Sequence, residues 1–138
     1  MNRFIATMLA VCLIFTNTAC TSQKTAPELR AGTYIGSASY SSPDYNKTWH
    51  IELTFNDDLT FTMVNENGEE KGAGTYAQAD SGYTMTYTDG RTAGFIVEAD
   101  GSLNMTTDLP YGKSAIGPDL VERIIPSDAD TQTGATSK

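Results

Sequence analysis

Cysteine, histidine and positive charge are all scarce in this chain of 138 residues. Its two cysteines, Cys12 and Cys20, lie within the first 20 residues, so everything downstream is without a disulfide. A multi-thiolate metal centre is excluded with them, and the single histidine, His50, cannot build a zinc site alone. Nine Lys and Arg face seventeen Asp and Glu; counted from Cys20 onward the balance is eight against seventeen, a net charge of −9. The basic clusters that neutralise phosphates are missing, so nucleic acid is not an expected partner. Anionic lipid headgroups would repel such a chain, so membrane attachment has to be hydrophobic or covalent. No apolar run reaches the roughly 20 residues that span a bilayer. About 90 to 100 residues remain once leader and tail are set aside, enough for one modest core.

The first 20 residues, MNRFIATMLAVCLIFTNTAC, have the layout of an export signal. Arg3 is a short positive region, Phe4 to Phe15 an apolar core, and small polar residues lead to Ala19-Cys20. This resembles a bacterial lipoprotein signal, in which a small residue precedes a cysteine that is acylated on its thiol and becomes the mature N-terminus. Asn17 departs from the apolar residue usual at the third position before that cysteine. The resemblance implies lipidation of Cys20, with the two or more acyl chains, palmitate among them, that stable anchoring requires. The competing reading is an ordinary secretory signal cut near Ala19. Thr21 stands where an Asp would favour retention in the inner membrane, which points to the outer membrane, facing the periplasm.

Four regions follow: signal 1–19, lipidated tether 20–31, a domain over 32–125 and a disordered polar tail 126–138. Within the domain, apolar residues alternate with polar ones between turn signals. Expected strands are Gly32 to Tyr40, Thr48 to Phe55, Leu59 to Val64, Lys71 to Gln78, Gly82 to Thr88, Thr92 to Glu98, Ser102 to Thr107 and Asp119 to Ile125. Ser41 to Lys47 and Leu109 to Pro118 read as loops, and Pro126 ends the last strand. Asn67-Gly68, Asp89-Gly90 and Asp100-Gly101 are hairpin signals. In the second strand Trp49, Ile51, Leu53 and Phe55 share the inward face, with His50, Glu52 and Thr54 facing solvent. In the third, Leu59, Phe61 and Met63 share a face. The expected fold is all-β: a small antiparallel, lipocalin-like up-and-down barrel of about eight strands, because short hairpins favour a meander and closure removes sheet edges.

Chemistry-bearing residues are few. No nucleophile motif accompanies His50, and the aspartates sit mainly at turns, where they bond local backbone. No catalytic residue, metal ligand or cofactor is assigned, and the chain reads as no enzyme. Met63, Met85 and Met105 could in principle ligate Cu(I) as thioethers, but each is in phase with apolar or aromatic strand neighbours and reads as core. Seven tyrosines are many for this size, and Tyr suits surfaces with one apolar and one wet end. Tyr45 and Tyr111, at one barrel end, are the candidate ligand-binding residues.

Gly32-Thr33-Tyr34-Ile35-Gly36, the alternating strand from Trp49 through its aspartate turn to Met63, Gly72-Ala73-Gly74-Thr75-Tyr76, and Phe95-Ile96-Val97, Gly101-Ser102-Leu103 and Ile116-Gly117 with Leu120 together resemble the N-terminal domain of NlpE-like copper-resistance lipoproteins. The likeness runs over about residues 30–125. That family's C-x-x-C is replaced here by Ser41-Ser42-Pro43-Asp44-Tyr45, so no metal residues carry over. The resemblance implies a lipid-tethered barrel of the cell envelope, a non-enzymatic accessory that senses stress or binds a small molecule or an envelope protein. The alternative is a protein-inhibitor module of the lysozyme-inhibitor type. Ser81-Gly82 before an aromatic strand loosely matches its S-G-x-x-Y, with Met85 in the tyrosine position and the disulfide missing.

Overall fold

Ten strands, the longer ones built on alternating apolar and polar residues, form in the computed structural model, which describes residues 27–128. They are β1 Gly32–Ser42, β2 Tyr45–Phe55, β3 Thr60–Val64, β4 Glu70–Ala79, β5 Gly82–Tyr87, β6 Thr92–Val97, β7 Leu103–Met105, β8 Leu109–Tyr111, β9 Ser114–Ile116 and β10 Ile125–Pro126. Eight form one antiparallel sheet in the order β10-β1-β2-β3-β4-β5-β6-β7, and β8 pairs with β9 alone. An isolated bridge between Leu103 and Ile124 brings β7 round to the C-terminal segment. The result is an up-and-down meander curled into a nearly closed barrel.

Four of its hairpin turns share one construction. In the turns 56–60, 65–69, 87–91 and 98–102, the first N–H donates to the last carbonyl, and the fourth residue's N–H returns to the first carbonyl. That fourth residue has a left-handed backbone each time: Leu59 (φ 66°), Gly68 (76°), Gly90 (89°) and Gly101 (85°). A type I turn closed by one left-handed residue suits the twist of a hairpin. In three of them an aspartate just before that residue (Asp58, Asp89, Asp100) accepts the N–H two positions on, at 2.9–3.1 Å. The expected glycine turns are therefore present, each as the end of a three-residue loop.

Leu59 is the exception to the pattern and to the expectation. Read as a strand residue beside Phe61 and Met63, it occupies the turn's left-handed slot and is 54% exposed. Phe61 and Met63 are buried as expected.

Several further expectations are corrected. Ser41 to Lys47 is not a loop: β1 and β2 pair without interruption to Ser42↔Tyr45 around Pro43-Asp44. Hydrogen bonds from Ser41 Oγ to Asn46 Oδ1 (2.6 Å) and from Ser42 Oγ to the Tyr45 carbonyl (3.1 Å) tie the tip. Leu109 to Pro118 contains the β8–β9 hairpin, with Leu109 and Ile116 buried. Asp119 to Ile125 is no continuous strand. Pro118–Leu120 makes a 3-10 turn, Val121 and Ile124 form single bridges to Ala38 and Leu103, and pairing resumes at Ile125. Pro126 does not end the strand but pairs with Tyr34 inside β10, which a proline tolerates where its nitrogen has no ladder bond to give. At the other end of the domain, Leu29 packs on the core and its N–H donates to the Tyr83 hydroxyl, so the tether stops short of it.

The core is a stack of inward side chains. Ile51, Leu53, Phe55, Phe61, Met63, Met85, Phe95 and Leu103 are each at most 1% exposed. Room for the rings comes from β4, whose inward positions 72 and 74 are glycine. A Cβ on Gly72 would strike the Tyr87 ring, and one on Gly74 the Thr86 carbonyl oxygen. Outward residues of β2 are less exposed than alternation alone implies: His50, Glu52 and Thr54 are half-buried among neighbouring strands, with Thr54 bonded to Thr33 at 3.0 Å.

Two substitutions separate the packing argument from the turn argument. Phe55→Ala removes a buried ring and should cost about 3–5 kcal/mol in urea denaturation, whereas Glu52→Ala should stay within roughly 0.5 kcal/mol. Leu59→Gly should raise stability by about 0.5–1 kcal/mol, because relief of a left-handed leucine outweighs the entropy cost of glycine. A loss of stability in Leu59→Gly would mean that the side chain makes a contact worth more than the backbone strain.

Candidate functional site

The inward faces of β1 and β2 do not end where the barrel does. Along β2 the core series Phe55, Leu53, Ile51 continues through Trp49, Lys47 and Tyr45; opposite them on β1 stand Ala38, Tyr40 and Ser42. Beyond Ala38 and Trp49, no other strand among the described residues pairs with these two, so they leave the barrel as a ribbon. Tyr40 is 44% exposed and Tyr45 54%, their rings 6.3 Å apart and tilted at 48°. Lys47 Nζ lies 4.8 Å from the Trp49 ring centre, and Trp49 is half-buried at the ribbon's base. Alternation that reads as a core face in sequence thus becomes, past the rim, a wet aromatic surface flanked by Ser41, Asp44 and Asn46.

The ribbon end of the barrel is capped by the β8–β9 hairpin. Leu109, Tyr111 and Ile116 are buried beneath it. The Tyr111 hydroxyl donates to the His50 carbonyl at 2.9 Å, and the Gly112 N–H to the Lys71 carbonyl at 2.7 Å. Arg91 clamps the outside: its guanidinium donates to the Gly112 carbonyl at 2.6 Å and the Ser114 carbonyl at 3.3 Å, and pairs with Asp89 at 2.7 Å. Hydrogen bonds from Arg91 hold the Asp89 carboxyl below its ordinary range.

Tyr45 and Tyr111 therefore share an end without sharing a site. Tyr45 is at the ribbon tip and open to a partner; Tyr111 is 9% exposed and committed to the cap. Its hydroxyl meets β2 at His50, five residues and about 16 Å along the strand from Tyr45. Tyr40 and Trp49, not singled out from sequence, join Tyr45. The signal that could have found Tyr40 was the uninterrupted Ser41–Lys47 hairpin, hidden by its serines, asparagine and proline.

The other chemistry-bearing residues are placed as follows. Met63, Met85 and Met105 point into the core, 0–5% exposed. Among the described residues no group of three or more His, Cys, Asp or Glu is arranged to hold a metal. Tyr87 is buried under the Arg91 guanidinium, 5.8 Å away, and its hydroxyl has no hydrogen-bond partner among the described residues. Burial drives its ionisation far above the ordinary phenol range, so it stays neutral. Ser81-Gly82, the segment behind the inhibitor alternative, lies at the β4–β5 turn, at the opposite end from the ribbon. A cleft of about 700 Å³ opens at that same end, between the incoming residues 27–34 and the outgoing Pro126, Ser127 and Asp128. Cys20, the signal region, most of the tether and residues 129–138 lie outside the described residues.

No family model, curated protein or solved structure matches the chain.

The cap's hold is testable through Arg91. Arg91→Ala should speed amide exchange across 109–116 by about tenfold while leaving β2 to β5 protected. The Asp89 partnership is present at neutral pH and is lost as pH falls through its lowered pKa, so the protection of the wild-type cap amides, relative to their intrinsic exchange at each pH, should fall only on acidification. Unchanged exchange in Arg91→Ala would assign the cap to its apolar contacts alone.

Proposed function

We propose that this protein is a non-enzymatic lipoprotein of the bacterial cell envelope, anchored through acyl chains on Cys20. In this reading it is a binding or stress-sensing accessory that meets an envelope partner through the ribbon of Tyr40, Tyr45, Lys47 and Trp49. The observation that carries it is the polarity of the domain. The chain reaches the barrel at Gly32, at one end, and the aromatic ribbon leaves at the other. β1 alone, eleven residues, covers about 36 Å between them. An anchored domain built this way presents the ribbon away from the lipid, toward the periplasm when the anchor is in the outer membrane. Exposed aromatics beside polar groups suit recognition, because a stiff ring covers area at small entropy cost. The NlpE-like motifs support the same class of protein, and the serines and proline in place of C-x-x-C set it apart from thiol metal handling.

The test is made in a host with two membranes, on the full chain. Wild type should fractionate with the outer membrane and take up an alkyne fatty acid; Cys20→Ser should do neither. A photo-crosslinking residue at Tyr45 should give a discrete adduct, and the same residue at Asp57, exposed at the tether end, should give none. Equal acylation of the Cys20→Ser chain would overturn the anchor, and equal adducts at both positions would overturn the ribbon.

A further inference from the structure

Among the described residues the barrel closes through a single rung, and beside that rung it stands open. Leu103 N–H donates to the Ile124 carbonyl at 2.8 Å, joining β7 to the C-terminal segment. Just before Ile124 that segment belongs to β1 instead: Val121 bridges Ala38, and Glu122 N–H donates to the Ser37 carbonyl at 2.7 Å. The two walls part toward the ribbon end. A cleft of about 490 Å³ lies between Leu103, Asn104 and Met105 on one side and Val121, Glu122 and Arg123 on the other.

What the cleft offers is backbone. Peptide groups of an antiparallel strand alternate sides with period two. Since Leu103 turns its N–H to the seam, Met105 turns its N–H and carbonyl there too, past the last rung. The Leu103 and Met105 side chains are buried in the core, so the edge is free of bulk. Asn104, exposed, points outward and donates to Glu98 Oε1 at 3.3 Å. A strand edge of this kind is a template for a further strand.

The rim says what that strand must carry. Three carboxylates, Glu98, Asp100 and Glu122, surround the cleft with one guanidinium, Arg123, which is paired with Asp100. Glu98 and Glu122 accept only neutral donors, Asn104 and Ser37, and neither meets a cation among the described residues. An approaching chain thus finds a strand edge unpaired among the described residues, inside an acidic frame.

We propose that this seam receives an extended cationic peptide segment of a partner protein, which adds as a strand on β7 and sets Lys or Arg side chains against Glu98 and Glu122. Main-chain bonds to Met105 supply the docking and the two glutamates its selection, the division of labour usual in strand addition. The site is separate from the ribbon and does not depend on the anchor.

The probe is a hexapeptide alternating lysine and valine, titrated into the full chain in detergent while amide exchange is followed by NMR. Exchange at Met105 should slow by about tenfold at saturation, with no change at Tyr45. A peptide of the same charge with proline at alternate positions keeps the attraction but cannot complete the ladder, and it should leave Met105 unprotected. A version with glutamate in place of lysine should not bind. Glu98→Gln with Glu122→Gln, both outside the core, should weaken the lysine peptide by about tenfold. Equal binding of the proline peptide would reduce the effect to bulk attraction and overturn the proposal. Unchanged exchange at Met105 with millimolar lysine peptide, or protection at the ribbon instead, would overturn it as well.

Discussion

The fold turns on one ring. Phe55, at the last residue of β2, lies 5.6 Å from Tyr34, 6.4 Å from Phe61, 5.0 Å from Tyr76 and 5.5 Å from Phe95. Those partners come from β1, β3, β4 and β6, so a single side chain is touched by half of the eight-stranded sheet. The Tyr34 and Tyr76 contacts are edge-on, at 82° and 83°, the geometry that aromatic quadrupoles favour. From this hub the network reaches the start of the domain. Tyr83 stacks on Phe95 and accepts the Leu29 N–H, while the Tyr34 hydroxyl donates to the Arg30 carbonyl at 2.8 Å. The end of the barrel where the chain enters at Leu29 and Arg30 is thereby tied to its core.

A meander so centred fills itself. An eight-stranded barrel has an interior about wide enough for side chains, and here aromatic rings, three methionines and branched aliphatics occupy it. The glycines of β4 yield their space to Tyr87 and Met63 rather than to a ligand. In the proposed reading, recognition falls to what lies outside: the ribbon where two strands outrun the others, and the seam where the last segment fails to follow β7. Both are places where the sheet stops pairing, and exposed strand is a binding surface for the same reason that it is an aggregation hazard.

Much of this was legible in the residues. Period-two alternation gave seven of the sheet's strands within a few positions, and Asn-Gly and Asp-Gly marked three turns. The methionines fell in the core because their phase matched that of Phe61, Tyr87 and Leu103. Other features were not legible because their signals compete. Leu59 has the right phase for a strand, and only the geometry shared with Gly68, Gly90 and Gly101 assigns it to a turn. Leu109 to Pro118 carries the glycine and proline of a loop, yet Leu109 and Ile116 find a hydrophobic rim to cover. Asp119 to Ile125 has strand-like composition but must cross from one wall to the other, which breaks it into a turn and two bridges. The ribbon was hidden because nothing in Ser41 to Lys47 announces that its neighbours are absent.

If the interior is packed and, as proposed, recognition lies on the ribbon, the tyrosines must divide into two groups in the cell. The direct measurement is covalent footprinting of all tyrosines in the purified chain and in intact cells. Tyr40 and Tyr45 should label readily in the purified chain and be protected in cells, while buried Tyr34, Tyr87 and Tyr111 should be unreactive in both. Equal labelling of Tyr40 and Tyr45 in the two settings, or a change in cells confined to Tyr87 and Tyr111, would contradict the account and put the functional surface inside the barrel or under its cap.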